Sequence, residues 1–195
     1  MKKEFPVKRL GAARIPSPLP LSCDSIQEEF QFVNDDSCIL HDVVVRSSGK
    51  GQKHFSFEQA GPRSHSYFDA SKVRAGIVTC GGLCPGINNV IRTIVMQLHH
   101  NYGVHRIHGF RYGFQGFIPS YQHEIVDLKP ANVQNIHNLG GSILSSSRGP
   151  QDPVEMVDCL ERNNIRILYC IGGDGTLRGA HAIAEEVGRR KEKIS

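Results

Sequence analysis

Apolar and polar positions are arranged very differently in the two parts of this 195-residue chain. From Val73 the pattern becomes regular. Val73 to Thr79 is a short apolar run, the signature of a buried strand. Val90, Ile91, Ile94, Val95 and Leu98 then repeat at helical spacing and predict a helix over Ile87 to Leu98. Val104 to Phe110 reads as a second strand. Pro130 suits the first turn of a helix running to Leu139. Asp152 is placed to cap a helix that opens on Pro153 and carries Val154, Val157, Cys159 and Leu160. Ile165 to Ile171 is a third strand, and Thr176 to Arg190 a helix. Strands alternating with helices predict an α/β fold with a mostly parallel sheet and flanking helices.

Before residue 72 no such order exists. Residues 1–22 carry Pro6, Pro16, Pro18 and Pro20 and predict an extended arm. Residues 24–36 are acidic and sparsely apolar, weakly ordered or a short helix. Ile39 to Val45 is β-branched and bounded by turn residues, as a strand would be. Residues 46–66 are polar and glycine-rich, and read as a linker or loop.

Composition narrows the class. Hydrophobic residues make up 39% and charged residues 22%, enough to bury one core. No Gly-X-Y period runs through the 20 glycines, and Gly and Pro interrupt every long segment. Collagen and coiled coil are excluded. No stretch of 18 apolar residues occurs, so no membrane helix is expected. A net charge of +4 is mild, and no basic run exceeds Arg189-Arg190-Lys191, which reads as a solvated helix end rather than a nucleic-acid surface. A small anionic ligand fits the charge equally well. Six cysteines are scattered, with no apolar run after Met1-Lys2-Lys3 to make a signal peptide. A cytoplasmic protein with reduced thiols is expected. The basic start through Arg14 resembles a transit peptide only in charge, since Ser is sparse and Glu4 is acidic. Cys80 and Cys84 flank a glycine turn and read as small packed residues, for no second Cys/His pair stands at zinc spacing.

In such sheets ligands bind where strands end and helices begin. Three loops there carry suitable chemistry. Thr79 to Gly86 holds Gly81, Gly82 and Gly86 before a helix N-terminus. It is a phosphate cradle, or a tight turn with no ligand. It matches neither the Walker A loop nor the dinucleotide fingerprint. Gly140 to Gly149 gathers hydroxyls around Arg148, which suits phosphate oxygens but also a solvated surface. Gly172-Gly173-Asp174-Gly175-Thr176 sets a carboxylate among glycines, to hold Mg²⁺ beside nucleotide phosphates or merely to cap the helix. Three such loops on one sheet edge favour a nucleotide-phosphate site.

Residues 76–92, from Gly76 through Gly81-Gly82-Leu83-Cys84-Pro85-Gly86 to Arg92, resemble the opening strand, loop and helix of 6-phosphofructokinases. The Leu-Cys-Pro-Gly form is that of the plant-type, ATP-dependent members. Ala60-Gly61-Pro62-Arg63, Tyr67-Phe68, Tyr112-Gly113-Phe114-Gln115-Gly116-Phe117, Ser147-Arg148-Gly149 and Gly172 to Thr176 are similar too, in the family's order. The resemblance implies an N-terminal extension over residues 1–54 and, over 55–195, an incomplete ATP-binding domain from the N-terminal portion of such an enzyme. It implies ATP and Mg²⁺ as cofactors, fructose 6-phosphate as acceptor, and a homo-oligomer, with neither nucleic acid nor membrane as partner. Gly82, Arg148, Gly149, Gly173, Gly175 and Thr176 would contact ATP, and Asp174 would hold Mg²⁺. Pyrophosphate-dependent relatives carry Asp at the position of Gly175, so Gly175 points to ATP. Ser145 replaces a usual Gly and stiffens its loop. Arg92 matches a bacterial effector-site Arg whose companion is Met96 here, which argues against bacterial-style control. The family's Thr-Ile-Asp-x-Asp segment, source of the catalytic base, is not found by Ser195. The resemblance therefore implies no catalytic residue in this chain and little activity by it alone. The other reading is a non-catalytic product that binds nucleotide or joins intact subunits. Diacylglycerol- and NAD-kinase-like proteins share the Gly-Gly-Asp-Gly-Thr turn but lack the Gly-Gly-Leu-Cys-Pro-Gly loop.

Overall fold

A computed structural model describes residues 7–21, 31–42 and 55–194. The chain forms two compact units, Met1–Asp69 and Ala70–Ser195.

The first unit has four very short strands: β1 (Ile15–Pro16), β2 (Cys38–Leu40), β3 (Ser56–Glu58) and β4 (His65–Ser66). They pair antiparallel as β1 with β4 and β2 with β3. The strand expected over Ile39 to Val45 starts one residue earlier and its pairing ends at Leu40. Residues 43–54 and 22–30 lie outside the described residues, as does most of the expected acidic helix. The segment expected to be a loop up to residue 66 contains β3 and β4. Polar bonds supplement the scant apolar burial of these strands. Arg63 donates to the carbonyls of Val33 (2.9 Å) and Asn34 (2.5 Å) and reaches Glu58 at 3.3 Å, while Arg9 also pairs with Glu58 at 3.1 Å.

The second unit is built on β5 (Arg74–Thr79), whose last five residues are all buried. Burial on both faces explains its unbroken apolar run, for helices cover both sides of a parallel sheet. After β5 come α1 (Ile87–Met96), β6 (Arg106–Phe110), β7 (Ile125–Asp127), α2 (Pro130–Val133), α3 (Pro153–Arg162), β8 (Ile167–Ile171) and α4 (Asp174–Ile194). The sheet order is β7-β6-β5-β8, with β5, β6 and β8 parallel and β7 antiparallel to β6. The mostly parallel sheet with flanking helices is therefore present. Among the described residues β8 is an outer strand, half-buried at every position.

Three local features differ from the sequence expectation. α1 buries Ile87, Ile91 and Val95, and continues through a wide turn at Gln97–Asn101 that buries Leu98. Val90 stays exposed, so the buried stripe is narrower than its spacing suggests. The helix expected from Pro130 to Leu139 stops at Val133 and resumes as a 3₁₀ turn at Ile136–Asn138, which still buries Val133 and Ile136. Asn132 fixes the start of this short helix: its side-chain oxygen accepts from the Lys129 N–H (2.7 Å) and its amide donates to the Asp127 carbonyl (2.8 Å). Finally, α4 begins at Asp174 rather than Thr176.

Asp152 caps α3 as its position predicts, accepting from the Val154 N–H at 2.9 Å. Met156, Val157, Cys159 and Leu160 of α3 then pack with Val78, Phe110, Phe117 and Ile183 in one core. α4 is tied to α3 by Arg190, which bonds Asp158 (2.8 Å) and Glu161 (2.7 Å) on α3 and Glu186 (2.8 Å) on its own helix. Hydrogen bonds from Arg190 and then Arg189 hold the Glu186 carboxyl below the usual carboxylate range.

Candidate nucleotide site

Strand order determines where a ligand can enter. The chain leaves β5 toward β6 on one side and returns as β8 on the other, so the loops after β5 and β8 diverge from adjacent strand ends. Thr79 stands opposite Ile171 in the parallel register, and the Cys80 N–H donates to the Ile171 carbonyl at 2.9 Å. The first and third glycine loops therefore start side by side.

The second loop is pulled in by specific bonds. Thr79, only 1% exposed, donates its hydroxyl to the Ser145 carbonyl at 2.7 Å and lies 2.8 Å from the Ser142 hydroxyl. Gly81, at φ +80°, donates its N–H to the Ser147 carbonyl at 3.1 Å, and the Ser146 hydroxyl bonds the Gly81 carbonyl. Buried Asn88 of α1 accepts from the Ile143 N–H at 2.9 Å and donates to the Leu139 carbonyl at 3.0 Å. Ser145 adopts φ +58°, the left-handed conformation that glycine reaches more easily. The Arg148 guanidinium stands over Gly82, 4.0 Å from where a Cβ would be.

The three loops enclose a cleft of about 820 Å³. Gly82, Arg148, Gly149, Gly173, Gly175 and Thr176 line it. Asp174 does not, although it is exposed between two residues that do. Thr176 is 3% exposed, with its hydroxyl against Gly172 and beside the Cys80 thiol. Burial pushes that thiol up to about 12, and the neighbouring Cys170 adds to the effect. Cys80 is therefore a neutral part of the floor and no nucleophile.

The cleft contains residues that motif reading does not find. Phe114, Met156, Gly179 and Ala182 give it an apolar wall. Gly179 is small because the Phe114 ring occupies the space where its Cβ would stand. Phe114 and Met156 belong to apolar patterns that signal core alone. Arg178 also lines the cleft, its only sequence signal being a place four residues after Asp174. Arg148 and Arg178 are the charged residues of the lining, and neither pairs with a described carboxylate. At the start of α4 the Gly173 carbonyl accepts from the Thr176 (2.9 Å) and Leu177 (3.1 Å) N–H groups, which leaves the N–H groups of Asp174 and Gly175 without an intrahelical acceptor. Glycine backbone, a helix N-terminus and two free cations beside an apolar wall suit a ligand with an anionic end and a flat apolar end.

Fold and cleft together define an α/β domain in which strand-end glycine loops, not a Walker motif, line a cleft suited to an anion. Residues 74–193 match the family model described as Phosphofructokinase, and the chain belongs to that family. It is 43% identical over 194 residues to an ATP-dependent 6-phosphofructokinase of Borreliella burgdorferi, covering 98% of this chain and 43% of that protein. It is 50% identical over 199 residues to the enzyme of that name from Trypanosoma cruzi, covering 100% of this chain and 40% of that protein. ATP-dependent 6-phosphofructokinase 7 of Arabidopsis thaliana is 44% identical over 164 residues, 84% of this chain and 33% of its own length. The chain thus spans well under half the length of these curated relatives. Among solved structures, Pichia pastoris phosphofructokinase in the T-state aligns with a TM-score of 0.51 at 23% identity, over 68% of this chain and 15% of that one. That likeness concerns the fold.

Proposed function

We propose that this chain binds ATP in the cleft between β5, β8 and the Ser145–Gly149 loop, as the donor side of an ATP-dependent 6-phosphofructokinase. The complete reaction would move the γ-phosphoryl of ATP to the 1-hydroxyl of fructose 6-phosphate. One observation carries the reading: three glycine loops from separate parts of the chain converge on a single cleft whose charged lining is Arg148 and Arg178. Phosphoryl transfer depends on positioning and on neutralising the phosphate charge, which such a cradle supplies. Gly82, Gly149, Gly173 and Gly175 would admit the phosphates to backbone N–H groups. Arg148 would pair with phosphate oxygens. Thr176 would line the phosphate end without donating to it, since its hydroxyl is engaged behind the cleft and its N–H bonds the Gly173 carbonyl at 2.9 Å.

Mg²⁺ fits Asp174 as a partner that arrives with the nucleotide. Among the described residues no three His, Cys, Asp or Glu side chains are grouped to hold a metal. A single carboxylate is nevertheless usual for Mg²⁺, which takes its other ligands from water and phosphates. Bound there, the ion would neutralise phosphate charge.

Gly175 supports ATP over pyrophosphate as donor. A Cβ at this position would meet nothing within 4 Å, so the space beside it is open to a nucleotide, and an Asp would put negative charge there. Donor binding is the part of the reaction we assign to these residues, since transfer to the acceptor hydroxyl also needs a base. Calorimetric titration of the 195-residue chain with Mg-ATP and with Mg-pyrophosphate tests the reading. Binding of ATP, lost in Arg148→Ala, is expected, and preference for pyrophosphate would overturn the donor assignment. A coupled assay showing turnover abolished by Asp174→Ala would overturn the absence of transfer.

A further inference from the structure

The connection from α1 to β6 brings three histidines together. α1 ends in the wide turn Gln97–Asn101, closed by the Tyr102 N–H on the Gln97 carbonyl at 3.2 Å. Wide turns of this kind are rare and are frequent at functional positions. At Gly103 the chain reverses with φ +71°, and the Val104 N–H returns to the Leu98 carbonyl at 2.8 Å. Leu98 and Val104 are both buried. The reversal lays His105 against His99, with ring centroids 4.6 Å apart at 72°. His100, next in the turn, lies against the same ring at 4.9 Å and 67°.

His99 is the central member. It is half-buried, whereas His100 and His105 are exposed. Its Nδ1 is enclosed by protein and has no hydrogen-bond partner. A neutral imidazole can leave one nitrogen bare, but a charged one carries N–H on both. Charging His99 in place would therefore put a proton on a buried atom with no acceptor, which is costly. Burial first, then the nearness of His105 and His100, hold its titration below the ordinary histidine value of 6.5. Tyr102 of the same turn stays neutral through this range, because burial raises its phenol. Among the described residues no carboxylate pairs with any of the three histidines, since the histidine–carboxylate pairs are those of His41 and His181. Histidines ordinarily charge between about pH 5 and 8, so acid brings like charge to rings that are packed together.

We propose that His99, His100 and His105 are an acid-released clasp. With the rings neutral, His99 packs inward and holds the Gln97–Asn101 turn to the reversal before β6. Protonation drives the His99 ring out to solvent, and the turn loosens while the sheet stays folded. Folding lowers the titration of His99, so its contribution to stability is full above pH 6.5 and is lost as pH falls. The device is independent of the nucleotide reading, because none of the three histidines lines the donor cleft.

Hydrogen exchange of the 195-residue chain at pH 7.5 and pH 5.5, corrected for the intrinsic pH dependence of exchange, tests this. Amides from Gln97 to His105 should lose protection roughly tenfold at the lower pH, while β5 keeps its own. His99→Phe keeps a ring in the turn but cannot charge, and should be equally protected at both pH values. His105→Gln, at an exposed position, should cut the loss without abolishing it, because burial still opposes a charge on His99. Equal protection of the unsubstituted chain at the two pH values would overturn the proposal. So would a loss that extends through β5, or one that is undiminished in either variant.

Discussion

Two of the three glycine loops are knitted into the protein, and the third is left open. Thr79, Gly81, Asn88, Ser142, Ser145, Ser146 and Ser147 join the first two through side-chain and backbone bonds. They form a wall whose shape is settled before any ligand arrives. The third loop is divided. Gly172 is packed on its inner side, where a Cβ would meet the Thr176 hydroxyl and stand 2.6 Å from the Cys80 carbonyl. At Gly173 and Gly175 a Cβ would meet nothing within 4 Å. Glycines within one four-residue turn thus have opposite reasons for being small. One lets the protein close on itself, and the others keep backbone accessible from outside.

That contrast can be broken most forcefully at Gly172. Gly172→Ala must displace the Cys80 carbonyl or the Thr176 side chain, and overpacking of this kind costs about 1–3 kcal/mol. Gly175→Ala should leave stability within about 0.5 kcal/mol, as at unpacked surface positions. Its effect should fall on the ligand, with Mg-ATP binding roughly tenfold weaker, or about 1.4 kcal/mol. Urea unfolding and calorimetry on the two variants check this. Equal unfolding midpoints would mean that the packed and open glycines do not differ.

Floor and wall can also be separated by pH. Burial holds the Cys80 thiol up at about 12 and Cys170 at about 11, against an ordinary value of 9.0. Above pH 9 the unfolded chain releases these protons and the folded chain keeps them. Stability present below the unfolded value is therefore lost as pH rises, at up to about 1.4 kcal/mol per unit for each thiol. Unfolding followed between pH 8 and pH 10.5 should show this decline, and Cys80→Ala should make it shallower. An identical slope in the variant would place Cys80 in contact with solvent. Cys84, exposed in the neighbouring loop, should be alkylated by iodoacetamide at pH 8 while Cys80 is spared.

The same division explains what the sequence reveals. Strand β5 is legible because burial on both faces demands an unbroken apolar run, β8 by its short apolar run between turn residues, and α1 and α3 because one buried face demands 3.6 spacing. The glycines of the cleft are legible because backbone approach leaves no substitute for them. β7 is not, since three residues paired only at one edge carry too short a pattern. Neither is the 3₁₀ turn Gly113–Phe117, which brings Phe114 to the cleft, because a buried phenylalanine looks the same whether it faces core or ligand. Arg178 and Ala182 are hidden for a related reason. Their role depends on which face of α4 meets the cleft, and that face is set by Gly179 closing on Phe114.

Ser145 is the finest test, because there the wall carries a local cost. At φ +58° a residue with a Cβ gives up about 1 kcal/mol relative to glycine, while glycine restores about 0.4–1 kcal/mol of freedom to the unfolded chain. Ser145→Gly should therefore change stability by no more than about 0.5 kcal/mol in either direction. Ser145→Val should lose about 1–2 kcal/mol, because a β-branched side chain tolerates the left-handed region least. If valine proves as stable as serine, the backbone at 145 is not held left-handed. The 2.7 Å bond from Thr79 to the Ser145 carbonyl would then not be what positions Arg148 over Gly82. If valine is destabilised as expected, adding Thr79→Val should bring little further loss. Once the bond is gone the loop is free to leave the left-handed conformation, so the two changes should be strongly non-additive in a double-mutant cycle.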